Sequence, residues 1–128
     1  MESRPFDIRD RTYLFTREVI AFCRSAAERD AILRRLALQL VDAAGSVGAN
    51  TEEADDGQSK ADFISKNCIA LKEVREAKFW LRQLRDADPS LAARATSLID
   101  EAEQLRRILR TIIARAKEQR GDRGKGSL

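Results

Sequence analysis

The stretch at residues 46–81, SVGANTEEADDGQSKADFISKNCIALKEVREAKFWL, decides the fold. Its first half closes one amphipathic helix through an acidic connection, and its second half opens another. Ser59 is a good N-cap, and Asp62 three residues on makes a variant of the capping box. From there Phe63, Asn67, Ala70, Val74, Ala77, Leu81 and Leu84 alternate steps of four and three, the spacing of one helix face. Asn67 is the one polar member of that seam. Asp88-Pro89 ends the run and starts the next, with Asp88 as N-cap and Pro89 at the first helical position.

The same rhythm extends outward in both directions. Downstream, Leu91, Ala95, Leu98, Ala102, Leu105, Leu109, Ile112 and Ala116 predict a helix of roughly thirty residues, about 45 Å long. Beyond it, RGDRGKGSL at 120–128 reads as a flexible basic tail on a bundle domain of residues 1–119. Upstream, a second helix covers roughly residues 29–54, with Ile32, Leu33, Leu36, Leu40 and Val47 on its apolar side. Asp7 is the N-cap of a first helix ending near residue 27, where Phe15, Val19, Phe22 and Ala26 form the stripe and Leu14, Ile20 and Cys23 widen it. Four helices with short connections predict an all-α, antiparallel up-down-up-down four-helix bundle. In that topology the connection between helices two and three lies beside the end of helix four.

Composition agrees. The 128 residues are 43% hydrophobic, 35% charged and only 5% aromatic, enough for one core built from aliphatic ridges. The net charge of +3 is unevenly spread. Residues 42–58 hold Asp42, Glu52, Glu53, Asp55 and Asp56 with no basic residue, whereas residues 105–128 carry eight basic side chains against two acidic ones. No apolar run is long enough to span a membrane, and MESRPFDIRDRTYLF lacks the apolar stretch of a secretory leader, so the expected location is cytoplasmic. Cys23 and Cys68 sit among apolar neighbours and are expected to be buried thiols.

Catalytic chemistry finds little support. The chain has no His, so the Glu-x-x-His pairs of a di-iron bundle are missing. Glu53, Glu73 and Glu76 alone make a poor transition-metal site. Ser46, Ser59, Cys23 and Cys68 lack an imidazole to activate them, and no phosphate-cradling glycine loop occurs. A protein without enzymatic activity, metal or cofactor is expected.

Three features carry the functional expectations. Gln39, Ala43, Ser46, Asn50 and Glu53 stack along one line of helix two, where the polar members either fix register across the bundle or an interface or line a shallow ligand pocket; register is favoured. Gly45 and Gly48 within the same helix mark either close approach by another backbone or a frayed end. Arg75, Lys78, Arg82 and Arg85 on helix three, and Arg106, Arg110, Lys117 and Arg120 on helix four, form two basic lines. They are either solvated faces, laced by pairs such as Glu103–Arg107 and Lys72–Glu76, or a nucleic-acid surface. With few aromatics for base stacking, contact is expected mostly with the RNA or DNA backbone. Ile99, Ile108 and Ile113, with Phe79 and Trp80, flank the core seams and make either a wide core stripe or an interface with other copies.

The quoted stretch also resembles the four-helix-bundle proteins of 23S rRNA intervening sequences. The matching pieces are Gln39-Leu40, Ser46-Val47-Gly48-Ala49-Asn50, Glu52-Glu53-Ala54, Gln58-Ser59-Lys60-Ala61-Asp62-Phe63-Ile64, Ile69-Ala70-Leu71-Lys72-Glu73 and Trp80-Leu81. With looser similarity in helices one and four, the resemblance covers about residues 12–118. It departs at Thr51, where an aliphatic or aromatic residue is usual, and at Ala54, where glycine often stands. The resemblance implies a homo-oligomer, often a ring of five, and through a related branch of retroelement accessory proteins it implies RNA or DNA and a reverse transcriptase as partners. It supplies no catalytic residues. The alternative is an assembly module that binds a protein partner without touching nucleic acid.

Overall fold

The structure, a computed structural model, describes residues 7–56 and 59–126, with side chains to residue 119. It contains α1 (Ile8–Ala27), α2 (Ala31–Asp55), α3 (Lys60–Ala87), a short 3-10 turn at Pro89–Leu91, and α4 (Ala92–Gly126). Each start is fixed by a side chain that accepts from an otherwise unpaired backbone N–H. Asp7 accepts from Arg9 N, Asp30 from Leu33 N at 2.8 Å, Ser59 from Asp62 N at 3.0 Å, and Asp88 from Ser90 N at 2.9 Å. The second helix therefore starts after Asp30 rather than at residue 29. Helix four does not stop at residue 119; its backbone stays helical to Gly126. Each further residue adds one backbone bond to a helix already nucleated, which carries it across glycines. The side chains of the expected basic tail lie outside the described residues.

Cross-helix bonds give the topology. Cys23 Sγ donates to Ala37 O, Arg94 Nη1 to Ser25 Oγ, Lys78 Nζ to Glu103 Oε1 at 3.0 Å, and Lys60 Nζ to Gln119 Oε1 at 3.2 Å. Early residues of α3 meet late residues of α4, so the two run in opposite directions; Thr12 against Thr51 and Cys23 against Ala37 show the same for α1 and α2. The Lys60–Gln119 bond places the α2–α3 connection beside the end of α4, as the topology requires. The acidic residues there are engaged locally: Asp55 with Arg9 at 2.9 Å and Glu53 with Lys66 at 2.8 Å.

The core follows the four-and-three seams. Phe15, Val19, Phe22, Leu40, Val47, Val74, Leu81, Leu84, Leu91, Leu105 and Leu109 are all shut off from solvent. Ile64, Ile113 and Ala116 form a smaller cluster toward the far end of α3 and α4, with Phe63 and Leu71 against it. Side chains about one residue off a seam point outward instead, because consecutive helical positions are rotated by about 100°. This corrects several expectations. Ile32 is 67% exposed, Leu14 is 54% exposed and Ile20 is also exposed. Cys68, next to seam residue Asn67, is exposed rather than buried. Ile113 takes the buried position expected of Ile112, which is only half-buried. Cys23 is buried as expected, and burial pushes its thiol up to about 12, so it stays protonated and inert.

A polar contact in the core joins α1 to α2. Thr12 and Thr51, both nearly inaccessible, lie with their hydroxyls 2.8 Å apart. Thr12 Oγ1 also sits 3.1 Å from Arg9 O, and Thr51 Oγ1 2.9 Å from Gly48 O. Two hydroxyls hold only two protons, so one donates across the helices while the other donates to its own carbonyl. Replacing either threonine by Val is expected to cost about 0.5–1 kcal/mol. The double replacement is expected to return to within about 0.5 kcal/mol of the parent, because both partners are then apolar and of the same shape. A urea double-mutant cycle measures this coupling; strictly additive losses would contradict a shared bond. Gly48 belongs to the same contact, since a Cβ there would lie 3.3 Å from Thr16 Oγ1 of α1. Gly45 faces open space, so close approach explains only one of the two glycines.

Candidate nucleic-acid interface

The basic lines of α3 and α4 meet. Arg75, Lys78 and Arg82 recur at three- and four-residue steps on α3, and Arg106 and Arg110 are one turn apart on α4. The antiparallel pairing of the helices sets them on the two walls of one open groove of about 780 Å³, with Leu71 and Phe79 also lining it. Five of the eight expected cations are thus brought together. Arg85 lies apart and binds its neighbour Asp86 at 2.8 Å, which lowers the Asp86 carboxyl below its usual range. Lys117 is exposed further along α4 and does not line the groove. The Arg120 side chain lies outside the described residues.

One carboxylate organises the groove. Glu103 accepts from Arg106 Nη2 at 2.6 Å, from Arg106 Nε at 3.0 Å and from Lys78 Nζ at 3.0 Å, with Arg107 at 3.5 Å. The hydrogen bond from Arg106, then that from Lys78, hold its carboxyl down to about 2. The stabilisation from this anion is therefore present above the ordinary carboxylate pKa and is lost only as pH falls toward 2. Glu103 thus links Lys78 of α3 to Arg106 of its own helix α4. Arg75, Arg82 and Arg110 form no ion pair with any described residue. Of the intrahelical pairs expected, Glu103–Arg107 is present, while Lys72–Glu76 is not among those of the described residues.

The polar line on α2 has a different position from the one expected. Asn50 Nδ2 donates to Ser46 O at 2.8 Å and lies 3.2 Å from Ser46 Oγ, both within its own helix. Gln39 is exposed, and Glu53 reaches Lys66 of α3 at the surface. None of the four reaches across the core; Thr12 and Thr51 do that. Trp80 packs partly against the bundle's own core, its ring and that of Phe79 T-shaped at 4.9 Å, and its buried Nε1 has no hydrogen-bond partner among the described residues.

Sequence reasoning missed Leu71 and Phe79 as parts of the groove, and Glu103 as the partner of Lys78 and Arg106. The signal was present for Phe79: residues 75, 78, 79 and 82 follow the i, i+3, i+4, i+7 pattern of a single helix face. A second shallow groove, lined by Arg107, Ile108, Thr111, Ile112 and Arg115, runs along another side of α4. Among the described residues no group of three or more His, Cys, Asp or Glu is gathered as a metal site would need. No described helix is long and apolar enough to cross a membrane.

Comparison with known proteins agrees with this architecture. The family described as 23S rRNA-intervening sequence protein matches residues 4–111. A solved structure from Bacteroides thetaiotaomicron, a protein of unknown function from the S23 ribosomal protein family, is 27% identical, with a TM-score of 0.76 over 83% of this chain and 97% of that one. No curated protein matches. Since the family match spans well over half of the 128 residues, this chain belongs to the 23S rRNA-intervening sequence protein family.

Proposed function

We propose that this protein is a non-enzymatic, self-associating helical bundle that binds the phosphate backbone of nucleic acid through the α3–α4 groove. The observation that carries the reading is the convergence of Arg75, Lys78, Arg82, Arg106 and Arg110 on one groove, with Glu103 as the single carboxylate among the described residues bound to its cations. Like charges held this close repel one another, and a polyanion relieves that repulsion while releasing its counterions. Self-association is supported by apolar side chains that one bundle leaves in water, among them Tyr13 at 61%, Leu38 at 59% and Ile32. A ring of five, the form the family resemblance implies, would repeat the groove around an axis. A cytoplasmic accessory role beside a ribonucleoprotein or reverse transcriptase fits such a collar.

The test is a salt titration of binding to RNA and DNA. With three to four phosphates neutralised per groove, affinity is expected to fall roughly 15- to 50-fold for a single strand and roughly 40- to 150-fold for a duplex between about 50 and 200 mM salt, with little sequence preference. Light scattering of the same sample is expected to give a multiple of 14.4 kDa. A monomer that binds neither polymer at low salt would refute the reading. The exposed Tyr13, Ile32 and Leu38 favour a second reading, an assembly module for a protein partner. An oligomer without nucleic-acid affinity would select it.

A further inference from the structure

Phosphate contacts do not explain Phe79. Its ring is 48% exposed at a position four residues after Arg75 and three before Arg82, among the cations of the groove. An exposed phenyl group contributes nothing to phosphate binding and leaves apolar area in water. The described cation–π contacts use Phe63 and Phe22, so none of them covers this ring with a groove arginine. The ring also has a neighbour: Trp80 packs against it at 4.9 Å with the planes at 80°, a favourable aromatic geometry. The groove therefore presents an aromatic surface held between cations of α3 and α4.

That combination fits a strand whose bases are unpaired. In a duplex the base faces are stacked on one another and only phosphates and groove edges are offered outward. In a single strand each base has a free face within one nucleotide of a phosphate, and aromatic side chains beside a basic track take up such bases regardless of sequence. We propose that the α3–α4 groove binds single-stranded nucleic acid, one unpaired base stacking on Phe79 while Arg75, Arg82, Arg106 and Arg110 hold the neighbouring phosphates. This rests on the phosphate-binding reading and adds to it a choice between strand states, with a base contact where the low aromatic content led us to expect mostly backbone contact.

The experiment compares an unstructured oligouridylate with an RNA duplex of equal length, using fluorescence anisotropy on the full chain. Phe79→Ala is expected to weaken single-strand binding roughly 5- to 150-fold, the range for losing one stacked base, and to weaken duplex binding far less. Phe79→Leu, which keeps apolar bulk without a π-face, is expected to behave like Phe79→Ala, whereas Phe79→Trp retains binding. Emission of Trp80, the chain's single tryptophan, is expected to change on adding the oligouridylate. Equal affinities of Phe79→Ala and the parent for the single strand would overturn stacking while leaving phosphate binding intact. Loss of self-association in Phe79→Ala, without a selective single-strand defect, would overturn it too, by making the ring a contact between copies. A folded parent that binds neither RNA would remove both readings.

Discussion

Replacing Arg106 and Arg110 together by Glu is expected to weaken nucleic-acid binding by more than about 100-fold at low salt, with the helical content unchanged. Both residues line the groove on the α4 side, opposite Arg75, Lys78 and Arg82. Charge-assisted contacts contribute about 1.5–3 kcal/mol each, so losing two removes several kcal/mol before repulsion is counted. The reversal also leaves Glu103 beside new carboxylates, one of them three residues along its own helix, a like-charge cost of only a few tenths of a kcal/mol at an exposed site. Lys78 still pairs with Glu103, so the bundle is expected to survive. Two companions fix the interpretation. Arg106→Gln with Arg110→Gln is expected to lose less, because it removes attraction without adding repulsion. Glu103→Gln is expected to act in the opposite direction and tighten binding, by freeing Lys78 and Arg106 from their shared anion. Anisotropy titrations with RNA at one fixed salt concentration measure all three. If the double Glu variant bound like the parent, the groove would not be the nucleic-acid surface.

How far the sequence foretold this arrangement depends on the kind of signal. The helices were legible because burial imposes a period: the seam from Phe63 to Leu84 and that from Leu91 to Leu109 are apolar at every core position but Asn67, and polar residues fill the outer faces. Starts at Asp7, Ser59 and Asp88 were legible because short polar side chains solve a local backbone problem. The antiparallel adjacency of α3 and α4 followed from their short connection, whereas the facing of their basic lines depends on rotation about each helix axis. What escaped notice was set by partners distant in the chain or by rotation about a helix axis. Thr12 and Thr51 are 39 residues apart, and threonine suits a core or a surface equally well. Ser46 and Asn50 share a line, but both are half-buried and Asn50 donates to Ser46 within α2 instead of across the core. Cys68 and Ile32 lie about one residue beside buried positions, near enough to read as core and far enough round to face solvent. Phe79 read as surplus apolar surface because its spacing from Arg75, Lys78 and Arg82 was weighed as charge pattern alone.

Truncating Phe22 to Ala is expected to have the largest effect on the fold itself, a loss of about 3–5 kcal/mol. Alone, a helix of 20 residues such as α1 has marginal stability in water, and it is held by what its inner face buries. Phe22 is fully buried between Val19 and Ala26, both also fully buried, and the Arg94 guanidinium of α4 lies 5.5 Å from its ring centroid. Removing the ring leaves a cavity that rigid aliphatic neighbours cannot close, and it takes away the surface on which Arg94 rests. Against a total of about 5–15 kcal/mol for a domain, this is a large fraction of stability. The melting temperature is expected to fall by about 10–20 °C. Ile32→Ala is the contrast: an apolar residue of the same bundle, 67% exposed, it is expected to cost less than about 0.5 kcal/mol to the monomer. Urea denaturation with hydrogen exchange reads both, and amides of α1 are expected to lose protection first in the Phe22 variant. Because the groove is built by α3 and α4 alone, nucleic-acid binding well below the lowered melting temperature is expected to be retained. A Phe22→Ala cost under about 1 kcal/mol would mean that α1 does not dock through this ring, and the bundle as described would be wrong at its first helix.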